Sequence, residues 1–180
     1  KENKNMTTTL NLDMSNISDF NLSFLVNMGA SRWFYENEKV ANNFLNKDFK
    51  KKIPKNNVFE INSMMFNVPK HKKEILNKYK CYYKEEDNEL CLIISESVSF
   101  SEFTKEIMMN LFTFCDKVGI ESICFLVSKS SSEYVRIMQD LMIVGFKPNE
   151  FAKEIVIDKE TYKVMEMPIN FDEKIEEFYF

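Results

Sequence analysis

Hydrophobic and polar positions change period several times along the chain, and the clearest alternation runs from Glu89 to Phe146. Leu90-Cys91-Leu92-Ile93-Ile94 and Ile123-Cys124-Phe125-Leu126-Val127 are continuous apolar runs. Each is followed by a segment of helical spacing, Phe103 to Val118 and Tyr134 to Val144, and the second of these closes on Gly145-Phe146. Short apolar runs separated by 3.6-period segments are the pattern of strands buried on both faces with helices packed across them. Phe103, Ile107, Leu111, Phe114, Cys115 and Val118 form one apolar stripe; Tyr134, Ile137, Met138 and Leu141 form the other, and both stripes face the sheet. Ser99 with Glu102, and Ser130 with Glu133, have capping-box spacing, with Val98 and Phe103 as a hydrophobic staple at the first start. Gly145-Phe146 fits a Schellman ending.

Around this centre the patterns are shorter. Residues 1–28 are rich in Asn, Ser, Thr and Asp and read as a flexible arm in which Phe20, Phe24 and Leu25 could dock locally. Trp33-Phe34-Tyr35, followed by polar residues to Val40, predicts a strand at the sheet edge, and Asn57 to Ile61 another. Lys47 to Lys55 reads as a solvated basic loop, and Lys70 to Lys80 as a short helix or irregular basic segment. Cys81-Tyr82-Tyr83 and Glu89 to Ile94 flank a polar turn and predict a hairpin. A second hairpin joins Lys153–Asp158 to Tyr162–Met167, ended by Pro168. Residues 29–170 then form one domain, and 171–180 an acidic, aromatic tail.

Composition narrows the function. A chain of 180 residues with 44% hydrophobic residues buries one good core. It has no apolar run of membrane-spanning length, and its N-terminus lacks the apolar core of a secretory signal. Cys81, Cys91, Cys115 and Cys124 show no CxxC spacing and sit among apolar neighbours, as reduced core cysteines do, so the cytosol or nucleus is expected. A net charge of -4 argues against a general nucleic-acid binder. With only Gly29, Gly119 and Gly145 in the chain, no pair of glycines is close enough to make a phosphate-cradling loop. His71 stands alone in a basic segment, without the spacing of a triad or a zinc site. No catalytic, cofactor-binding or metal-ligating residues are expected. The chain begins at Lys1 rather than Met, as a fragment, a processed product or a partial reading frame does.

The order hairpin, helix, strand, helix ending in Gly-Phe, final hairpin is similar to the acetyltransferase-like (GNAT) fold: α+β, a mixed β-sheet with helices packed on its faces. Within that fold several blocks resemble the ornithine decarboxylase antizymes. Trp33-Phe34-Tyr35-Glu36-Asn37-Glu38-Lys39-Val40 is similar to their Leu-Phe-Tyr block with its acidic residues and Arg-Leu. Glu89 to Ile94 stands where they carry Ser-Leu-Tyr-Ile-Glu-Ile. Thr104-Lys105-Glu106 matches Ser-Lys-Asp, Ile123 to Val127 corresponds to Val-Phe-Ile-Cys-Phe, and Leu141 to Phe146 matches Phe-x-Phe-Leu-Gly-Phe. The blocks keep their order over residues 31–168.

The resemblance implies a protein without acetyltransferase chemistry that binds an ornithine decarboxylase monomer as a 1:1 heterodimer, blocks its dimerisation and delivers it to the proteasome. It also implies antizyme inhibitor as a further partner and synthesis through a polyamine-stimulated frameshift. In antizymes the outer side of the first helix and the loop after the second carry much of the contact. Carried over, that points to Lys105, Glu106, Thr113, Asp116, Lys117, Glu133 and Asn149 as partner-binding residues. Thr113 stands where the family has glutamate, Asn149 where an aliphatic residue is common, and Tyr134 where arginine follows the acidic pair. The rival from another class is an N-acetyltransferase using acetyl-coenzyme A; a third is an unrelated interaction module on the same fold. Ser128-Lys129-Ser130-Ser131-Ser132 replaces the glycine-containing pyrophosphate loop that the enzyme needs.

Overall fold

The computed structural model describes residues 7–25, 32–35, 45–67, 72–97, 105–149 and 154–169. Ten strands, β1 (Thr7–Thr9), β2 (Ile17–Leu25), β3 (Arg32–Tyr35), β4 (Val58–Asn67), β5 (Lys72–Lys84), β6 (Glu89–Ile94), β7 (Ser122–Ser128), β8 (Lys147–Pro148), β9 (Glu154–Ile157) and β10 (Glu160–Pro168), form one sheet. Its order is β1-β9-β10-β7-β6-β5-β4-β2-β3, with β8 beside β10. Three neighbouring pairs, β1/β9, β2/β4 and β6/β7, are parallel and the others antiparallel, so the sheet is mixed. Two helices, α1 (Lys105–Val118) and α2 (Tyr134–Val144), complete the α+β fold expected from the sequence.

The central apolar runs form β6 and β7, and both are buried on both faces. Side chains alternate across a strand. Leu90, Leu92, Ile94, Ile123, Phe125 and Val127 join Met108, Leu111, Phe112, Phe114, Cys115 and Val118 of α1 and Ile137, Met138 and Leu141 of α2 in one cluster. Both helices therefore pack on the same face. Cys91, Ile93, Cys124 and Leu126 point the other way and join Tyr82, Ile155, Ile157, Tyr162 and Val164. That second face is covered by Leu10, Leu12 and Met14 in the connection between β1 and β2, and Lys80 Nζ donates to the Met14 carbonyl at 3.1 Å.

Over the described residues 7–25, the N-terminal region departs from the flexible arm expected over residues 1–28. Ile17–Leu25 is a sheet strand with Phe20, Leu22, Phe24 and Leu25 buried, because Phe20-Asn21-Leu22-Ser23-Phe24 alternates with a period of two. An aromatic cluster fixes it: Phe24 lies 4.6 Å from Trp33, Trp33 lies 4.9 Å from Phe114 of α1, and Phe20 meets Phe59 edge-on at 5.3 Å. Each such pair adds about 0.5–1.5 kcal/mol beyond its burial. Trp33 to Tyr35 ends the strand order as anticipated, while residues 36–40 lie outside the described residues.

Lys70 to Lys80 is likewise corrected, since β5 begins at Lys72 and is a strand throughout. Tyr79, Cys81 and Tyr83 are buried on alternate positions while the preceding Lys78 is exposed, so the strand has one buried face and a more polar one. The basic loop around Lys47 also does more than sit in solvent: Phe49 and Ile53 are buried, and Lys50 Nζ donates to the Gly119 carbonyl at 3.3 Å, beside the negative end of the α1 dipole. Both helices end in the same way. The amides of Ile120 and Phe146 reach back to Cys115 and Leu141 at 2.8 and 2.9 Å, and Gly119 and Gly145 hold φ of 82° and 124° at those turns. The hairpin between β9 and β10 turns on Asp158 and Lys159, both at positive φ.

Candidate functional site

The residues expected to meet a partner fall at separate places. Lys105 and Glu106 open α1, and their side chains, with the Ser99 cap and the Val98–Phe103 staple, lie outside the described residues. At the other end of the helix Asp116 is exposed and Lys117 half-buried. The helix, at about 1.5 Å per residue, separates its two ends by roughly 20 Å. Thr113 turns its hydroxyl inward and donates to the Met109 carbonyl at 2.9 Å. Glu133 stands at the start of α2, beyond the carboxyl end of β7, and pairs with Arg136 at 2.9 Å. Asn149 donates its side-chain amide to Glu166 at 2.6 Å and its backbone amide to the Val164 carbonyl at 3.0 Å, which makes it part of the sheet's own bonding.

The capping box predicted at Ser130 and Glu133 is corrected too. Glu133 itself occupies the N-cap position without a side-chain cap bond, and the buried Ser131 turns the chain instead, accepting at Oγ from the Glu133 amide at 3.1 Å. Most other amides of this loop are committed as well. That of Lys129 donates to Thr161, that of Ser131 to the Ser128 carbonyl, that of Tyr134 to the Ser131 carbonyl, and that of Ser130 to the Ser128 hydroxyl. Lys129 Nζ is drawn to Glu154 at 2.6 Å. Beside the loop, β6 and β7 stay in register from Glu89↔Ser122 to Ile94↔Val127.

A feature absent from the sequence reading lies on the outward side of α2. Val135, Met142 and Ile143 are 65%, 50% and 83% exposed. At 100° per residue they fall together, opposite the buried stripe of Ile137, Met138 and Leu141. Arg136 and Asp140, 3.8 Å apart, flank them. The signal was in the sequence as a second apolar stripe on one helix, masked because a helix of mostly apolar residues reads simply as buried.

A second constellation, also missed, occupies the sheet face away from the helices. Cross-strand register lines up Tyr82, Cys91, Cys124 and Glu166 on β5, β6, β7 and β10. Glu89, two residues before Cys91, turns to the same side and is 3% exposed. Ser122 donates to one of its carboxylate oxygens at 3.0 Å, and the other lies 4.0 Å from the Cys91 sulfur. Burial, and then the neighbouring Glu166 carboxyl, push the Glu89 pKa up to about 7. The Cys124 thiol is pushed well up, by its bond to Cys91 and by burial. All four cysteines are free and buried, as expected from their surroundings; what the spacing did not reveal is that strand register brings two of them together.

The chain is similar in structure to three acetyltransferases. They are nourseothricin acetyltransferase (14% identity, TM-score 0.36, 54% of this chain and 59% of that one), the N-terminal domain of a ribosomal-protein-alanine acetyltransferase from Clostridium acetobutylicum ATCC 824 (15%, 0.36, 52% and 74%) and a putative acetyltransferase from T. thermophilus (12%, 0.41, 61% and 61%). The chain spans about 60% of the length of the first and third. At these scores the likeness concerns part of the fold and carries nothing about chemistry. No family model and no curated protein matches the sequence. Among the described residues, no helix is long and apolar enough to cross a membrane.

Proposed function

We propose that this chain is a non-catalytic binding protein in the manner of the ornithine decarboxylase antizymes. It takes one decarboxylase monomer into a 1:1 heterodimer, keeps it from dimerising and brings it to the proteasome. The observation that carries the reading is the state of the Ser128–Glu133 loop. Its amides at Lys129, Ser130, Ser131 and Glu133 are spent on internal bonds, and Glu133 puts negative charge at the start of α2, so this helix start does not offer an anion such as a pyrophosphate the usual positive potential. What the frame offers outward suits a protein surface. Val135, Met142 and Ile143 on a rigid helix supply apolar anchors, Arg136 and Asp140 a polar rim, and Asp116 and Lys117 charge for steering.

The test is co-purification with the cognate ornithine decarboxylase at micromolar concentration, read by sedimentation and by decarboxylase activity. A heterodimer with lost activity supports the reading; no complex and unchanged activity refute it. Tight binding of coenzyme A by calorimetry would overturn it in favour of an N-acetyltransferase.

A further inference from the structure

The constellation around Glu89 presents donors that a buried apolar face has no need of. Cys91 and Cys124 are 0% and 2% exposed, directly opposite one another on parallel strands, and the Cys91 sulfur, the Cys124 sulfur and a Glu89 oxygen lie within 4.8 Å of one another. A carboxyl group in such a place costs several kcal/mol unless it is paired, protonated or bound to a cation. Glu89 is also oriented. Ser122 occupies one of its oxygens and leaves the other on the side of the sulfurs. Glu166, next in the cross-strand row after Cys124, is held in the same way by Asn149 at 2.6 Å. Hydrogen bonds that fix the far oxygen of a carboxylate are the outer-shell supports on which metal sites rely.

We propose that Cys91, Cys124 and Glu89, with Glu166 as the fourth donor, form a tetrahedral site for a thiophilic divalent cation, zinc foremost. Two thiolates with carboxylate oxygens form a donor set that zinc accepts, with Zn–S of about 2.3 Å and Zn–O of about 2.0–2.2 Å. Ligand atoms in such a tetrahedron sit roughly 3.3–3.8 Å apart. The Cys91 and Cys124 sulfurs and the Glu89 oxygen, within 4.8 Å of one another, stand roughly 1–1.5 Å beyond that spacing at most. Glu166 is half-buried where the other three donors are buried, so it is the side from which an ion enters. Uptake releases the two thiol protons to solvent, and affinity therefore climbs with pH. The bound ion staples β6, β7 and β10 together on the face that Leu10, Leu12 and Met14 cover.

The full chain, stripped with EDTA and kept reduced, is titrated with zinc chloride against a chromophoric chelator and with cobalt chloride by absorption. The expected result is one ion per chain, a thiolate-to-cobalt charge-transfer band with tetrahedral d–d bands, and a higher melting temperature with zinc. Cys91→Ser or Cys124→Ser should weaken the band and lower affinity at least tenfold, whereas Cys81→Ser and Cys115→Ser should leave it in place. If the cluster variants fail to fold, the cobalt spectrum of the unsubstituted chain decides alone. No uptake by the reduced chain, a cobalt spectrum without thiolate bands, or a Cys91–Cys124 disulfide as the only chemistry of the pair would overturn the site.

Discussion

Glu89→Gln separates the cost of a buried charge from the packing around it. The substitution keeps the shape of the side chain and an oxygen for the Ser122 hydroxyl, which donates at 3.0 Å, but removes the titration. In the folded chain burial and Glu166 raise the Glu89 pKa from its ordinary 4.5 to about 7. Between those values the folded state holds a proton that the unfolded state has released, so stability is greatest in acid and falls as pH rises through this interval. At about 1.4 kcal/mol per pH unit, the interval amounts to on the order of 3 kcal/mol. For a chain of this size that is roughly 6–12 °C in melting temperature. Thermal melts in EDTA, at matched ionic strength across pH 5 to 8, should show the unsubstituted chain losing stability relative to Glu89→Gln. The two should be similar near pH 5, with the variant ahead above pH 7. Parallel curves for the two proteins would refute a strained carboxyl at this position.

Phe146→Ala should cost about 3–5 kcal/mol in urea unfolding, because the ring is 2% exposed and packs edge-on against Phe125 at 5.0 Å. Gly145→Ala places a Cβ on a residue at φ 124° and should lower stability by about 1 kcal/mol or more, read from the same unfolding curves. Ile143→Asp, at a position 83% exposed, should leave the melting temperature almost unchanged while weakening decarboxylase binding in pull-down, and intact binding would remove the α2 face from the interface. Trp33, the only tryptophan, is 1% exposed, so its emission should be blue-shifted and should redden at the same denaturant midpoint as circular dichroism if β2 and β3 melt with the central strands.

The elements most legible in the sequence are those whose two faces are both apolar. Leu90–Ile94 and Ile123–Val127 gave strands whose ends lie within one residue of those observed, and Gly145-Phe146 marked a helix ending that the amide bonds reproduce. Strands with one wet face were harder. In β2 the Asn and Ser positions hid the alternation of Phe20, Leu22 and Phe24, and in β5 Lys78 and Lys80 hid Tyr79, because a polar residue at every second position gives a strand the composition of a loop. Candidate site residues fared according to whether they depend on register. The outward position of Asp116 follows from helical period alone. The capture of Asn149 by Glu166, or the meeting of Cys91 with Cys124, depends on which strands lie side by side, and no local spacing encodes that.

The strand order has a consequence for how the chain comes together. β1 pairs in parallel with β9, which comes much later in the sequence, and β2 lies between its sequence neighbour β3, to which it is antiparallel, and β4, to which it is parallel. During synthesis β1 therefore meets its β9 partner only after all the residues between them have emerged, while β4, β5 and β6 can already join through short antiparallel links. Closing so long a loop is slow and entropically costly. The Leu10–Met14 strap, held at one end by β1, consequently comes to rest late. Until then the second face of the sheet, with Cys91 and Cys124 on it, is open to whatever the surroundings offer.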